Sequence, residues 1–337
     1  MKSHIRKIPQ SRGWQALADS GNHAPARIYA VIALYKMRPE DSTALITLLE
    51  AVSFARAGEA EVEILLYDNT PGGQKTDSLP PGVQYKANPE NGALAAACNY
   101  GLQKAGAAGF EWLLTLNQDT TLPKDFLWKL CDAIDSISAL PDVVAIVPSI
   151  SSEGRVASPF TVGKYWTFTR HIPQGFVGIP EGDVFAANSV STIKVSALDA
   201  IGGFDLRFPL DMIDFDIDYR LHRSNFRFFV AGNIHVDLEL STVDLRKRSS
   251  AARYEDYLGA EELFCDEYLG RGTSAAVVIK LIYRLAYKLR KSGGTFQYQK
   301  IALRFLCRRL FYSRKHRMRT SKQAMRQHHA LTTARSL

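Results

Sequence analysis

Short apolar runs alternate along the first half of the chain with segments whose apolar residues recur at helical spacing. The runs are rich in β-branched residues and bounded by Gly, Pro or polar residues, so they predict buried strands at 27–34, 62–67, 83–86, 112–116 and 143–147. The segments between them predict helices that begin near residues 39, 93 and 123. Strands that alternate with helices indicate an α/β fold, with a mostly parallel sheet covered by helices on both faces.

The pattern changes after residue 150. Residues 151–180 are rich in Gly, Pro and aromatic residues and predict a long loop or hairpin, and later segments predict helices at 251–270, 274–291 and 296–312. From these changes we predict four parts of the chain. They are a flexible lead-in at 1–26, an α/β domain at 27–245, a helical extension at 246–312 and a basic tail at 313–337.

The charge is distributed unevenly. The formal net charge is +8, but residues 271–337 hold 17 Lys and Arg and no Asp or Glu, which leaves 25 basic and 34 acidic residues in the rest of the chain. The two last predicted helices are therefore basic and amphipathic, and their apolar residues are Val277, Val278, Leu281, Ile282, Leu285, Leu289, Ile301, Phe305, Leu306 and Leu310. Such helices suit the surface of an anionic membrane, which is the favoured interpretation. The alternative is that the apolar stripes pack on the α/β domain.

Cysteine spacing and hydropathy bear on the compartment. Cys98, Cys131, Cys265 and Cys307 are scattered, without the spacing of a zinc site, and indicate reduced cysteines of a cytoplasmic protein. No apolar run reaches the length of a membrane span, about 18 residues or more, and the N-terminus lacks the apolar region of a secretory signal. We expect a cytoplasmic protein, peripheral on the inner face of the membrane if the basic helices bind it.

Polar segments follow four of the predicted strands, at 34–36, 68–69, 88–92 and 117–119. Each has an ordinary explanation on its own: Asp68 suits an Asx turn, Asn91-Gly92 a helix cap, and Asp119 a turn before the next helix. Ligands of open α/β sheets bind beyond the carboxyl ends of the strands, however, and all four segments fall there. Together they predict one ligand site, with Asp119 able to hold a divalent cation against a phosphate.

The order of these segments resembles glycosyltransferase family 2, and within it the rhamnosyltransferase-like branch. The motifs that carry the resemblance are Tyr35 after the first strand, Asp68-Asn69, Asn88-x-x-Asn91-Gly92-(x6)-Asn99-x-Gly101, Leu116-Asn-Gln-Asp119, Gly202-Gly-Phe-Asp205 and Asp211-Met-Ile-Asp214-Phe-Asp216-(x3)-Arg220. The resemblance covers about residues 27–265. As an ordered set these motifs are specific, although none is so alone.

The resemblance implies a GT-A fold and an inverting hexosyltransferase. Such an enzyme moves a sugar, rhamnose or another hexose, from a dTDP- or UDP-sugar to a hydroxyl of a surface glycan or a lipid-linked acceptor. On the donor side, it implies that Tyr35 and Asp68 contact the base and ribose and that Asn91 and Asn99 line the nucleotide pocket. Asn117 and Gln118 complete the set of donor-binding residues.

The resemblance also assigns the chemistry. Asp119 would hold Mg²⁺ or Mn²⁺ between the two phosphates, and Asp214 would be the general base that deprotonates the acceptor hydroxyl. Asp211 and Asp216 would orient the acceptor or the helix that follows. The purely structural alternative is an acidic helix start that its dipole stabilises, and Arg220 has the equally plain role of pairing with a nearby carboxylate.

Two positions depart from the family pattern. Asn117 replaces the usual first acid, which leaves the metal to Asp119 alone. The usual His-x-Leu-Ser/Gly element corresponds to Leu238-Glu-Leu-Ser241, so His235 is either a displaced metal ligand or an ordinary strand histidine. These departures leave a catalytically inactive family member as one alternative.

A nucleic-acid-binding protein is the other alternative, because of the basic tail. The acidic remainder of the chain argues against it, and we expect no nucleic-acid partner. A sugar nucleotidylyltransferase is disfavoured because no Gly-rich segment follows the first strand.

Overall fold

The computed structural model describes residues 24–56, 58–74, 76, 79–163, 169–238, 250–269, 271–283, 285 and 296–320. Its strands are β1 (Ala26–Leu34), β2 (Ala60–Asp68), β3 (Val83–Ala87), β4 (Trp112–Asn117), β5 (Val143–Ser152), β6 (Arg155–Ser158), β7 (Phe160–Val162), β8 (Thr169–His171), β9 (Val177–Gly178), β10 (Val184–Phe185), β11 (Thr192–Lys194) and β12 (Arg227–Asp237). Its helices are α1 (Thr43–Phe54), α2 (Ala93–Ala107), α3 (Phe126–Ser136), α4 (Val195–Ala200), α5 (Ile213–Arg223), α6 (Ala251–Tyr268), α7 (Arg271–Tyr283) and α8 (Phe296–Phe311), with a short 3₁₀ turn at Pro39–Asp41.

A mostly parallel sheet forms the centre, as predicted. Among the described residues its order is β3-β2-β1-β4-β11-β5-β12-β9, with β6 beside β5. The strands β1 to β4 pair in parallel, and so do β5 and β12, whereas β11 runs antiparallel between β4 and β5. The segment predicted as a loop or hairpin contains β7 and β8, which form a separate antiparallel sheet with β10.

Alternate residues of each central strand face two different layers of helices. In β1, Ile28 and Ile32 belong to the apolar cluster that α1 and α3 cover. Tyr29 and Val31, which point the other way, belong to the cluster that contains α2, α4, α5 and the C-terminal helices. Because both faces are covered, the carboxyl edge of the parallel strands is the exposed rim on which polar residues can meet a ligand.

Gly101 lets α2 approach β1 closely. A Cβ atom added there would lie 2.1 Å from Cγ2 of Val31, a β-branched residue in the middle of a buried strand. We expect Gly101→Ala to lower the free energy of unfolding by about 1–3 kcal/mol through overpacking, as measured by urea denaturation. Gly106→Ala on the same helix is the matched control, because its Cβ would meet atoms only at 3.8 Å or beyond, and it should be neutral or slightly stabilising. Equal effects of the two variants would contradict this packing.

The C-terminal helices pack inward on α6. Val277 and Leu281 of α7 and Phe305 and Leu306 of α8 are buried in the same cluster as Phe264 of α6. Most of the described apolar stripe that the sequence offered to a membrane is therefore covered by the protein, while Ile282 and Leu310 are exposed, and a membrane contact stays a prediction. In the described part of the chain no helix is both long and apolar enough to cross a membrane.

The basic residues of the extension pair with acids of α6. Lys280 contacts Glu261 at 3.0 Å, and Arg309 contacts Asp266 at 2.8 Å. Arg317 also binds Asp266, and residues 314–320 are helical, so this part of the predicted basic tail is ordered by the pairing. The predicted lead-in at 1–23 and the tail after residue 320 lie outside the described residues, and the domain boundaries stay predictions.

Candidate active site

Asp119 lies on a tight turn that other residues hold in place. The amide of Thr120 donates to the carbonyl of Asn117 at 3.1 Å, and the Ser189 hydroxyl lies 3.1 Å from the Asn117 nitrogen and 2.9 Å from Oγ1 of Thr120. Asp119 itself is exposed, and within the described part of the chain its carboxylate forms no hydrogen bond or ion pair. A fixed turn therefore presents an exposed acid at the end of β4.

Gln118 connects the tips of β4 and β1. Its Oε1 accepts a hydrogen bond from the amide of Tyr35 at 2.7 Å, and its Nε2 donates to the carbonyl of Tyr35 at 3.3 Å. The Gln118 carbonyl in turn accepts the Ser42 hydroxyl at 3.0 Å. The side chain of Gln118 thus fixes the backbone of the predicted donor site, while the Tyr35 ring is left 43% exposed beside it.

Asp68 is fully buried at the end of β2 and orders the loop that follows. Its carboxylate accepts the Thr70 amide at 2.9 Å, the Gln74 amide group at 3.1 Å and the Tyr85 hydroxyl at 2.5 Å. Burial, together with the hydrogen bond to Asp68, raises the pKa of Tyr85 to about 12. The Asx-turn interpretation accounts for these contacts, and a contact of Asp68 with the ribose stays a prediction.

The two asparagines near α2 have different surroundings. Asn91 is half-buried and adopts a left-handed backbone conformation just before the helix, at φ 51°. Asn99 uses both ends of its amide on Phe204, with Nδ2 donating to its carbonyl and Oδ1 accepting its amide, each at 2.8 Å. Asn99 therefore holds the loop after α4 against α2. The amide oxygen and nitrogen that the resemblance assigned to the nucleotide pocket are both used in this contact. The place of Asn91 in that pocket stays a prediction.

Asp214 is in the first turn of α5, next to the left-handed residue Met212 at φ 62°. Its Oδ1 accepts the amide of Phe215 at 3.0 Å. Burial outweighs this stabilising bond and raises the pKa of Asp214 to about 6. The carboxylate is ionised at neutral pH yet much more basic than an ordinary aspartate, which suits a general base.

The flanking acids are held by other protein groups. Asp216 is fully buried and binds Arg220, with Nε at 3.0 Å, and the Tyr268 hydroxyl at 2.7 Å. The pairing expected of Arg220 is therefore present. Asp211 forms an ion pair with Arg253 of α6. Both carboxylates thus connect the start of α5 with the C-terminal extension, and their contact with an acceptor stays a prediction.

Asp218 and His222 lie next to the candidate site, and the sequence predicted no role for them. They follow Asp214 at four-residue spacing on one face of α5. Oδ2 of Asp218 accepts the Ala186 amide at 2.8 Å, and Nε2 of His222 lies 2.7 Å from the Val184 carbonyl. Burial raises the pKa of Asp218 well above its usual range. The four-residue spacing of the three residues is visible in the sequence. The groups that Asp218 and His222 contact are more than 30 residues away, so the sequence does not indicate them.

The segment that these two residues hold leads directly to the turn of Asp119. Ala187 accepts the Ser191 hydroxyl through its carbonyl at 2.7 Å, the carbonyl of Asn188 accepts the Thr115 hydroxyl, and Ser189 binds both ends of the 117–120 turn. Residues 186–191 therefore connect helix α5, which carries Asp214, with the tip of β4. The two halves of the site are parts of one hydrogen-bonded structure.

His235 lies elsewhere on the sheet. It belongs to β12, which β11 and β5 separate from β4, and its ring contacts Gln174 at 3.2 Å and Asp237 at 3.5 Å. Across the residues that the structure covers, no group of three or more His, Cys, Asp or Glu side chains could hold a metal ion. Leu238 is described, but residues 239–241 of the compared His-x-Leu-Ser/Gly element lie outside the described residues. These positions favour an ordinary strand histidine, and a metal role of His235 stays a prediction.

The comparisons with known proteins agree with the predicted family. The model of the family described as "Glycosyl transferase family 2" matches residues 47–193, so this part of the chain is similar to that family. The match includes Asp68, Asn91, Asn99 and Asp119 but ends before Asp214. No curated protein matches the chain. The rhamnosyltransferase-like branch is not distinguished by these findings.

The chain was compared with solved structures, and one of them, GalNAc-T7, has the same fold. GalNAc-T7, solved with UDP, GalNAc and Mn²⁺, superposes with a TM-score of 0.52 at 13% identity over 86% of this chain, which spans 57% of the length of that chain. TarS 1-349 of S. aureus gives 0.46 at 11% identity (83% of this chain, 91% of that one). The mannosyltransferase PcManGT of Pyrobaculum calidifontis, in complex with GDP-Man and Mn²⁺, gives 0.49 at 14% (85% and 88%). The likeness to GalNAc-T7 shows the fold, and the GT-A prediction is confirmed.

Proposed function

We propose that the protein is a metal-dependent, inverting glycosyltransferase that moves a sugar from a nucleotide-diphosphate donor to a hydroxyl group. The observation that carries the proposal is that residues 186–191 connect the elements that carry two different acids. Asp119 is an exposed carboxylate on a fixed turn, and Asp214 is a carboxylate whose pKa is raised to about 6. The family match over residues 47–193 supports it. So do the UDP and GDP-Man named with GalNAc-T7 and PcManGT.

The residues present fit a hard divalent cation such as Mg²⁺ or Mn²⁺. Such ions prefer carboxylate oxygens, and Asp119 offers an exposed one that the described protein does not use. Asn117, at the position of the usual first acid, adds a neutral amide. When bound, the ion would neutralise the charge that builds on the leaving diphosphate. Mn²⁺ is also the ion named with GalNAc-T7 and PcManGT.

Asp214 would accept the proton of the acceptor hydroxyl. The acceptor oxygen then forms a bond to the anomeric carbon while the bond from that carbon to the diphosphate oxygen breaks, and the nucleoside diphosphate leaves with the bonding electrons. Attack from the face opposite the leaving group inverts the anomeric centre. Asp218 and His222 keep α5 against residues 184–186, and so hold Asp214 relative to the donor turn.

On the donor side, the exposed ring of Tyr35 and the half-buried Asn91 and Asn117 would bind the nucleotide. A dTDP- or UDP-hexose, with rhamnose as one candidate sugar, is the donor class that the sequence motifs favour. A surface-glycan or lipid-linked hydroxyl at the cytoplasmic side of the membrane, in polysaccharide biosynthesis, completes the proposed reaction. We expect no nucleic-acid partner, because Arg308, Arg309 and Arg317 of the extension pair with acids of α6 and the chain before residue 271 holds more acidic than basic residues.

Donor binding tests the proposal directly. A thermal-shift screen of UDP-, dTDP- and GDP-sugars should find at least one that raises the Tm in the presence of Mn²⁺, since a ligand at 100 times its Kd stabilises the native state by about 2.7 kcal/mol. Asp119→Asn should abolish the part of the shift that requires Mn²⁺. His235→Ala should retain it if Asp119 is the acid that holds the metal. Absence of a shift with every nucleotide sugar would favour the catalytically inactive alternative that Asn117 suggests.

A further inference from the structure

The helices α7 and α8 carry apolar side chains on two opposite faces. One face packs on α6. On the other face eight large apolar residues are exposed, out of fifteen in all the described residues. They are Ile279, Ile282, Tyr283, Phe296, Leu303, Leu310, Phe311 and Tyr312. Single exposed apolar residues need no explanation, but eight of fifteen on α7, α8 and the residue that follows α8 mark a contact surface, which we call the outer face.

The outer face follows the periodicity of α8. Phe296, Leu303 and Leu310 recur every seven residues, so they form one line along the helix, and they are 78%, 52% and 57% exposed. Lys300 is exposed and lies on the same line between the first two of them. This line is distinct from the buried stripe of Phe305 and Leu306, and it is therefore not needed for the packing of the extension.

The basic residues of the extension also fall into two groups, one that pairs with α6 and one that is exposed. The inner ones pair with α6: Lys280 with Glu261, Arg308 with Glu262 and Arg309 with Asp266. In contrast, Lys300, Lys315 and Arg319 are exposed and form no ion pair with any residue that the structure describes. From Arg271 to the end of the sequence there is no Asp or Glu, so these helices contribute no acid to this surface.

We propose that the outer face docks the protein on an anionic membrane surface. Its apolar and aromatic side chains would enter the boundary between head groups and acyl chains, while Lys300, Lys315 and Arg319 would contact lipid phosphates. A second copy of the chain is the poorer occupant, because two such faces would bring cations together without compensating acids. The outer face shares Ile282 and Leu310 with the apolar stripe that the sequence indicated, but it excludes the buried residues of that stripe, such as Phe305 and Leu306.

Binding to vesicles tests this without any measurement of sugar transfer, so the docking proposal and the proposed function can fail separately. The full chain should sediment with vesicles of phosphatidylcholine mixed with phosphatidylglycerol, much less with phosphatidylcholine alone, and binding should weaken as salt is added. The triple variant Lys300→Gln, Lys315→Gln and Arg319→Gln should bind on the order of 100-fold more weakly, since each cation near the surface is worth about 1 kcal/mol.

The apolar part is tested by Leu303→Glu combined with Leu310→Glu. Both residues are exposed, so the variant should keep its Tm, and it should lose vesicle binding. Phe54→Glu on α1 is the matched control, because Phe54 is equally exposed but far from the extension in the sequence, and it should bind as the unmodified chain does. Unchanged binding of the Leu303/Leu310 variant would overturn the proposal. So would a dimer, detected by light scattering, that this variant converts to a monomer.

Discussion

Replacing Asp214 by Asn should lower kcat for sugar transfer by about a thousandfold, the middle of the range for loss of a general base. The amide cannot accept the proton of the acceptor hydroxyl, but it has the shape of the carboxylate and can still accept the hydrogen bond from the Phe215 amide. Donor binding should therefore be unchanged. The measurement is steady-state transfer with the donor found by thermal shift, and Asp199→Asn, an exposed acid on α4, should leave kcat within a few-fold.

The same residue predicts a pH dependence with a defined sign. The general base must be deprotonated, and burial raises its pKa to about 6, so kcat/KM, which reports the free enzyme, should rise with pH through about 6 and level off above it. In the native state the raised pKa means that the ionised carboxylate is unfavourable. The Asn variant should therefore be the more stable protein at pH 7, and its advantage should disappear as the pH falls below the unfolded-state pKa of about 4.

Loss of activity together with gain of stability separates a lost base from a damaged fold. If the Asn variant kept full activity, Asp214 would not be the base, and if the variant were less stable at pH 7, the raised pKa of Asp214 would be contradicted. Asp218 would be the next residue to examine, because it is buried one turn further along the same face of α5.

Local patterns predicted the strands that carry the site. The runs at β1, β2 and β4 are mostly apolar and largely buried because helices cover the sheet on both sides, so composition alone marks them. β11 has three residues, and β9 and β10 have two each, which is too short for any periodicity to show. Their pairing depends on neighbours that are distant in sequence. The parallel sheet was accessible from sequence, whereas the antiparallel insertions were not.

The sequence singled out candidate acids but not the partners of their neighbours. Asp119 was chosen because it follows a buried strand, and both Asp119 and Asp214 because family motifs include them, and their roles stay predictions. The partners of the other acids were not found. Asp211 pairs with Arg253, 42 residues away, and Asp216 binds Tyr268, 52 residues away. No local pattern reports whether a carboxylate will be left free or bound by a distant side chain.

The Asn99-x-Gly101 motif shows the same limit. Both residues were read as part of a nucleotide-binding motif, but Asn99 clamps Phe204 and Gly101 gives α2 its close approach to Val31. A motif identifies residues that matter without saying whether they touch the ligand or hold the fold around it. Likewise, the helical periodicity of residues 296–312 predicted α8 well, but it could not tell which of its apolar lines α6 would cover.

Replacing Asp266 by Ala should destabilise the protein by about 3–5 kcal/mol, the cost of leaving buried charges without their partner. Its carboxylate is 3% exposed and binds two arginines that are nearly as buried. Arg309 Nη1 lies 2.8 Å from Oδ1, and Arg317 donates to both carboxylate oxygens at 2.9 Å. Equilibrium unfolding in urea measures the loss, provided that the transition stays two-state.

Glu255→Ala is the matched control for this variant. Glu255 is also on α6 and pairs with an arginine of α8, Arg304, but both side chains are about half exposed. Solvent screens such a pair, so its loss should cost less than about 1 kcal/mol. Similar costs of the two substitutions would mean that the Asp266 cluster is hydrated in solution and does not hold the extension.

A second comparison separates the charge from the packing. Asp266→Met combined with Arg309→Met and Arg317→Met removes both signs of charge at once and fills the space with apolar groups, so it should recover most of the stability that Asp266→Ala loses. Because Tyr268 and Arg253 of α6 hold Asp216 and Asp211, a loosened α6 should also reduce the transfer rate through α5. If the ionic cluster serves only to hold α6 in place, the triple variant should recover both the stability and the transfer rate.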